Sequence, residues 1–167
     1  MKKKELGLIL ILALLVGSCI STPAAPAVPA TGKMPDLFDQ LDPVIEKTFD
    51  NLSARLSSNL RIALLPPGST DKGAGGYVFD ELYIKFINSA RFNMVDRANI
   101  DRAIAEIDFG LTGLVSDDTA ASLGKLLGAQ VIAFGDLPEI GTGRQRLVYR
   151  ALEVETGKML GISSERF

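Results

Sequence analysis

From Arg61 onward, apolar runs of strand length alternate with stripes of helical period, and this alternation constrains the fold more than any other feature. Arg61–Pro66 (RIALLP) reads as a buried strand, and residues 67–76 (PGSTDKGAGG) as a flexible loop of Gly, Ser and Asp. Phe79, Leu82, Tyr83, Phe86, Ile87 and Ala90 then keep helical spacing before Phe92–Asp96 (FNMVD) returns as a strand. Asn99 can cap the next helix, whose Ile100, Ala103, Ile104 and Ile107 face inward. Ser116 can cap another, with Asp117 and Asp118 in its first turn against the helix dipole. That helix buries Ala120, Leu123, Leu126 and Leu127, and Gly128 ends it as a left-handed residue. Gln130–Asp136 is a third strand. Leu147 to Val154 alternates, Glu155-Thr156-Gly157-Lys158 is a tight turn, and Met159–Ser164 returns antiparallel. The order βαβααβββ predicts an α/β domain: a mixed sheet of about five strands flanked by helices.

The segment before this domain has a different character. Lys2, Lys3 and Lys4 precede the apolar run Leu6 to Val16 and the small pair Gly17–Ser18, the layout of a bacterial secretory signal. The run is shorter than the roughly 20 residues of a spanning helix. With Val16-Gly17-Ser18-Cys19 at its end it resembles a lipobox, with cleavage between Ser18 and Cys19 and lipidation of Cys19; an ordinary signal peptide with an incidental cysteine is the other reading. Residues 1–18 are thus expected to be a lipoprotein signal peptide and 19–33 a lipid-anchored tether. Pro23, Pro26 and Pro29 recur every third residue there, favouring polyproline II, so the arm reaches on the order of 40 Å. Residues 34–58 are expected to form an amphipathic helix packing on a domain at 59–167. Its stripe is Leu37, Leu41, Val44, Ile45, Phe49, Leu52 and Leu56, and Pro43 fits best as the first helical residue after an Asp42 cap. Asp39, Asp42, Glu46, Lys47 and Asp50 on the other face disfavour a membrane-surface role.

The inventory removes whole chemistries. There is no histidine, so imidazole catalysis and histidine-ligated metal sites are unavailable. Acylation of Cys19 would consume the only thiol. The leader takes three lysines and one glutamate with it, leaving 15 basic and 19 acidic residues and no basic block, which gives no sign of a nucleic-acid partner. The loop at Gly68–Gly76 fails both phosphate-loop and dinucleotide patterns, because Gly73 follows Lys72 and the glycine spacing is wrong. Asp117 and Asp118, adjacent on a helix, do not converge on one proton or ion, and capping explains both. Asp96 and Arg97 lie just past a strand end, where α/β ligands often bind. They stand as interaction candidates, with a local anchor for the strand-to-helix turn as the plainer reading. The expectation is no catalytic residue, no metal and no cofactor.

Four segments in order carry a resemblance: Ile62-Ala63-Leu64-Leu65-Pro66, Arg91-Phe92-Asn93-Met94-Val95-Asp96-Arg97, Leu123-Gly124-Lys125-Leu126-Leu127-Gly128-Ala129-Gln130, and Val154-Glu155-Thr156-Gly157-Lys158. Together, behind the lipobox, the series resembles the CsgG/LpoB-like superfamily of bacterial outer-membrane lipoproteins, from about residue 59 to the C-terminus. That superfamily includes the curli-secretion channel subunit, penicillin-binding-protein activators and flagellar accessory lipoproteins. The matched motifs build the fold, so the resemblance implies architecture more than activity, and it carries over no catalytic residue.

The resemblance implies a lipid-anchored, non-enzymatic accessory protein acting through an envelope protein partner: a penicillin-binding protein, or a secretion or appendage component. The 14 residues 20–33 are short for the long arm by which synthase activators of the family reach an inner-membrane enzyme, so an accessory or assembly module anchored close to its membrane is the first expectation and a synthase activator the second. With Ile20 after Cys19, the family sorting rule implies the outer membrane, facing the periplasm. An oligomer stays open. A curli-type pore subunit is one alternative, although residues 136–146 and 156–158 are too short for membrane-spanning strands of roughly 9–11 residues. A periplasmic small-ligand sensor or cryptic enzyme is the other.

Overall fold

The computed structural model describes residues 36–106, 115–141 and 143–167. Ser18, Cys19, the tether and Ile107 lie outside them.

Helix α1 (Leu37–Ser53) follows Asp36 as its N-cap, and the Asp39 carboxylate accepts from the Asp36 N–H at 3.3 Å. The helix runs continuously through Pro43 and does not start there. Pro43 is exposed, so the Asp39 carbonyl that loses its usual donor faces water. Leu41, Val44, Ile45 and Leu52 bury on both sides of it and hold the two halves in line. Asp42 is not the cap; it accepts from the Tyr77 hydroxyl, which pushes that phenol up to about 12. The helix ends at Ser53, short of Ser58.

Strand β1 (Arg61–Leu64) stops at Leu65-Pro66-Pro67, where two successive residues lack an N–H. The chain then rejoins the sheet as β2 (Gly68–Ser69), parallel to the same neighbour. The expected loop is therefore largely structured: Asp71 caps helix α2 (Lys72–Asn88), its carboxylate accepting from Gly73 and Ala74 N–H at 2.9 and 3.0 Å. Ala74, Val78, Phe79, Leu82 and Phe86 are buried on α2, whereas Ile87 and Ala90 are exposed, contrary to the helical stripe. Ala90 lies past the end of α2 with φ 51°, which turns the chain toward the sheet.

Strand β3 (Asn93–Met94) is shorter than expected, and helix α3 (Arg97–Glu106) starts before Asn99. Its first turn is held by Asp96, whose carboxylate accepts from Ala98 N–H at 2.9 Å, so Asn99 is not the cap. Helix α4 (Asp117–Leu126) is capped by Ser116, which accepts from Thr119 N–H. It ends as the sequence requires: Gly128 sits at φ +63°, Gly128 N–H donates to Lys125 O, and Ala129 N–H donates to Gly124 O. Leu126, expected inside, is 56% exposed, because the last turn rotates it away from the sheet while Leu123 and Leu127 bury.

Strands β4 (Val131–Leu137), β5 (Arg146–Glu153) and β6 (Met159–Arg166) complete a mixed sheet of order β3-β1-β4-β5-β6, with β2 extending the β1 side of β4. β1 and β3 are parallel, β4 is parallel to β1, and β5 and β6 follow antiparallel. Alternation along each strand divides the core. Ile62, Leu64, Val131, Ala133, Leu147, Tyr149 and Ala151 meet α1 and α2, while Ala63, Leu65, Ile132, Phe134 and Leu152 meet α3 and α4. No β6 residue belongs to the second core, and Ile162 is 54% exposed. Among the described residues, β6 is thus left uncovered on that face, beyond α4 and β5.

Candidate functional site

Asp96 and Arg97 are both engaged locally. Asp96 holds the first turn of α3, while Arg97 pairs with Asp80 and, at 3.9 Å, Asp101. The Arg97 guanidinium also lies 4.9 Å from the Phe79 ring centroid. These contacts bind α3 to α2. Among the described residues no group of three or more Asp, Glu, Cys or His side chains is placed to hold a metal ion.

The distinctive chemistry lies at the β4–β5 connection. Pro138 to Gln145 turns through Gly141 (φ +133°) and Gly143 (φ +71°), values that favour glycine, and is closed by a bridge between Glu139 and Gln145. Arg144, Arg146 and Arg166 surround an open depression of about 540 Å³, with Ile140 and Phe167 as its apolar lining. The hairpin register explains the clustering. Gln145 and Phe167 exchange both backbone hydrogen bonds at 3.0 and 3.1 Å, so the next pair, Arg146 opposite Arg166, is a non-hydrogen-bonded one. Side chains approach most closely at such pairs, with Cα atoms about 4.5 Å apart. Two guanidinium stems therefore leave the same face side by side.

Among the described residues none of these three arginines forms an ion pair or a side-chain hydrogen bond, and Arg146 Nε is buried without a partner. Arg150, on the same face of β5, is the contrast. It donates to Asp136 Oδ2 at 3.2 Å and to Asp117 Oδ1 at 3.4 Å, and its guanidinium lies 5.5 Å from the Phe134 ring centroid. Arg150 ties α4 to the sheet, whereas the side chains of the other three arginines tie no described element. Asp136 is nearly buried, which raises its carboxyl above the ordinary range, and Arg150 offsets this only in part.

The depression is too open to exclude water from a reaction, and its side chains offer neither nucleophile nor general base. What it can do is bind anionic groups beside an apolar contact. The sequence carried a partial signal: alternation places Arg146, Val148 and Arg150 on one face of β5, and Ser164 and Arg166 on one face of β6. It did not give their pairing.

A family model for the peptidoglycan-synthase activator LpoB matches residues 76–155, from α2 through β5 to the turn. The fold also aligns with solved LpoB structures. The Escherichia coli LpoB structure determined by NMR matches with TM-score 0.61 at 14% identity, over 87% of this chain and 84% of that one. Over residues 76–155 the chain is similar to the LpoB family. The LpoB C-terminal domains from Salmonella enterica and Escherichia coli match with TM-score 0.56 at 12% identity. They cover 75% and 74% of this chain and 93% and 96% of theirs. Among curated proteins no sequence relative matches. These similarities bear on the LpoB branch of the resemblance; the curli-secretion and flagellar branches receive no support from them.

Proposed function

We propose that this chain is an LpoB-type accessory protein: a non-enzymatic domain that binds a periplasmic peptidoglycan synthase and raises its activity, held at the outer membrane by lipid on Cys19. The observation that carries the reading is the match of residues 76–155 to the synthase-activator family, on a domain whose fold aligns with LpoB over most of its length. The site supports it, since an open arginine cluster with an apolar lining suits protein contact better than turnover. The lipid supplies location, raising the local concentration of the domain so that modest intrinsic affinity suffices.

The connections 138–145 and 154–158 are too short for a pair of membrane-spanning strands, which disfavours the pore alternative. Among the described residues no helix is long and apolar enough to cross a membrane. The direct test is binding of the chain carrying Cys19→Ala to the purified periplasmic part of a bifunctional peptidoglycan synthase from the same organism. Saturable 1:1 binding is expected. Absence of binding at tens of micromolar, with both proteins folded, overturns the reading.

A further inference from the structure

We infer that Arg144, Arg146 and Arg166 form the docking site for an acidic segment of the partner, one that presents carboxylates flanking an apolar side chain. This inference rests on the synthase-accessory reading and names the chemistry of the surface the partner uses. Three observations carry it. Arg146 and Arg166 are register partners at a close, non-hydrogen-bonded position, where like charges directly opposite destabilise a sheet. None of the three cations is neutralised within the described chain, and Arg146 Nε is buried with a hydrogen to donate and no acceptor. Ile140 is 39% exposed at the rim of the same depression, beside Phe167, a contact that a small ion would leave unused.

The alternative of a free or lipid-borne anion fits less well. A free anion would leave Ile140 and Phe167 without a contact, whereas a protein segment can place carboxylates on the arginines and an apolar side chain against that lining. Guanidinium groups also suit bidentate carboxylates.

The cluster has a signature that separates docking from a structural role. Arg166→Glu replaces a like-charged cross-strand pair with an oppositely charged one, so the free protein should become more resistant to unfolding while its affinity for the synthase falls roughly ten- to a hundredfold. Arg144→Glu should weaken binding without raising stability, since residue 144 has no ladder partner. The experiment measures affinity and thermal unfolding for the Cys19→Ala chain and these two variants. Arginine Nε–Hε resonances are followed by NMR during titration with the synthase, with sodium phosphate, and with vesicles of phosphatidylglycerol and phosphatidylcholine.

Loss of affinity with a raised unfolding midpoint in Arg166→Glu, together with a perturbed Arg146 signal, supports the inference. Wild-type affinity in both variants overturns it while leaving the synthase reading intact. Failure of the parent chain to bind the synthase removes both. A saturable Arg146 response to phosphate or vesicles that abolishes synthase binding assigns the site to an anion or lipid headgroup instead, and also overturns it.

Discussion

Gly124→Ala and Gly76→Ala place the same methyl group in two helices and should change stability in opposite directions. Gly124 lies in α4, the second residue of the Leu-Gly-x-Leu-Leu-Gly-Ala motif at 123–129. A Cβ there would stand 2.4 Å from Val154 Cγ2, 3.2 Å from Cγ1 and 3.4 Å from Cβ. The close atoms belong to a stiff β-branched side chain, so relieving the overlap takes a change of its preferred χ1 or a shift of backbone. Alanine gains about 1 kcal/mol of helix propensity, but overpacking of a filled core costs about 1–3 kcal/mol. The net expectation is a loss of about 1–2 kcal/mol. Gly76 lies inside α2 with nothing within 4 Å of the added methyl, so alanine there should stabilise by about 0.5–1 kcal/mol. Urea unfolding of both variants measures this. A double-mutant cycle with Val154→Ala should return a favourable coupling of about 1 kcal/mol or more, because the new methyl then occupies vacated space. A stabilised Gly124→Ala, or strict additivity with Val154→Ala, would refute the packing argument.

Two other expectations concern polar groups in the sheet. Tyr149 is fully buried and donates its hydroxyl hydrogen to Leu65 O at 2.9 Å, so Tyr149→Phe should cost about 1–2 kcal/mol in urea unfolding by leaving that carbonyl without its donor. Asp136, raised above the ordinary carboxylate value by burial, binds its proton more tightly in the folded than in the unfolded chain. Its contribution should therefore be most favourable below the unfolded value near 3.9 and should be lost as pH rises through the folded value. Comparing the pH dependence of unfolding free energy in the parent and Asp136→Asn isolates that slope. An Asp136 carboxyl that titrates in the ordinary range by NMR would contradict it.

Much of the fold was legible because it is written locally. The α1 stripe from Leu37 to Leu52, the Ser116 cap and Gly128 act through residues three or four positions away, and each appears where the pattern put it. Pro43 misled because the position rule says nothing of the apolar residues on either side that hold the helix straight. Asp71 does not stand out as a cap because Gly73, Gly75 and Gly76 follow it, which reads as a loop until its carboxylate is seen to accept from Gly73 and Ala74 N–H. The β2 strand is two residues long and depends entirely on its neighbour β4.

The arginine cluster is the least local feature. Counting outward from the closing pair Glu153–Lys158 sets Gln145 opposite Arg166. The register shift between Ala151 and Leu152 moves the ladder by one residue and brings Arg146 there instead. A one-residue slip changes which face meets which, so the site depends on an irregularity that alternation alone does not reveal.

Glycan-strand polymerisation by the same organism's bifunctional peptidoglycan synthase, with and without the purified Cys19→Ala chain, is the most direct measurement of the central claim. A saturable increase in rate is expected, reached at about equimolar protein when both are well above the dissociation constant and reduced at that concentration by Arg166→Glu. An unchanged rate at saturating, folded protein would contradict the assignment of this domain as a synthase activator.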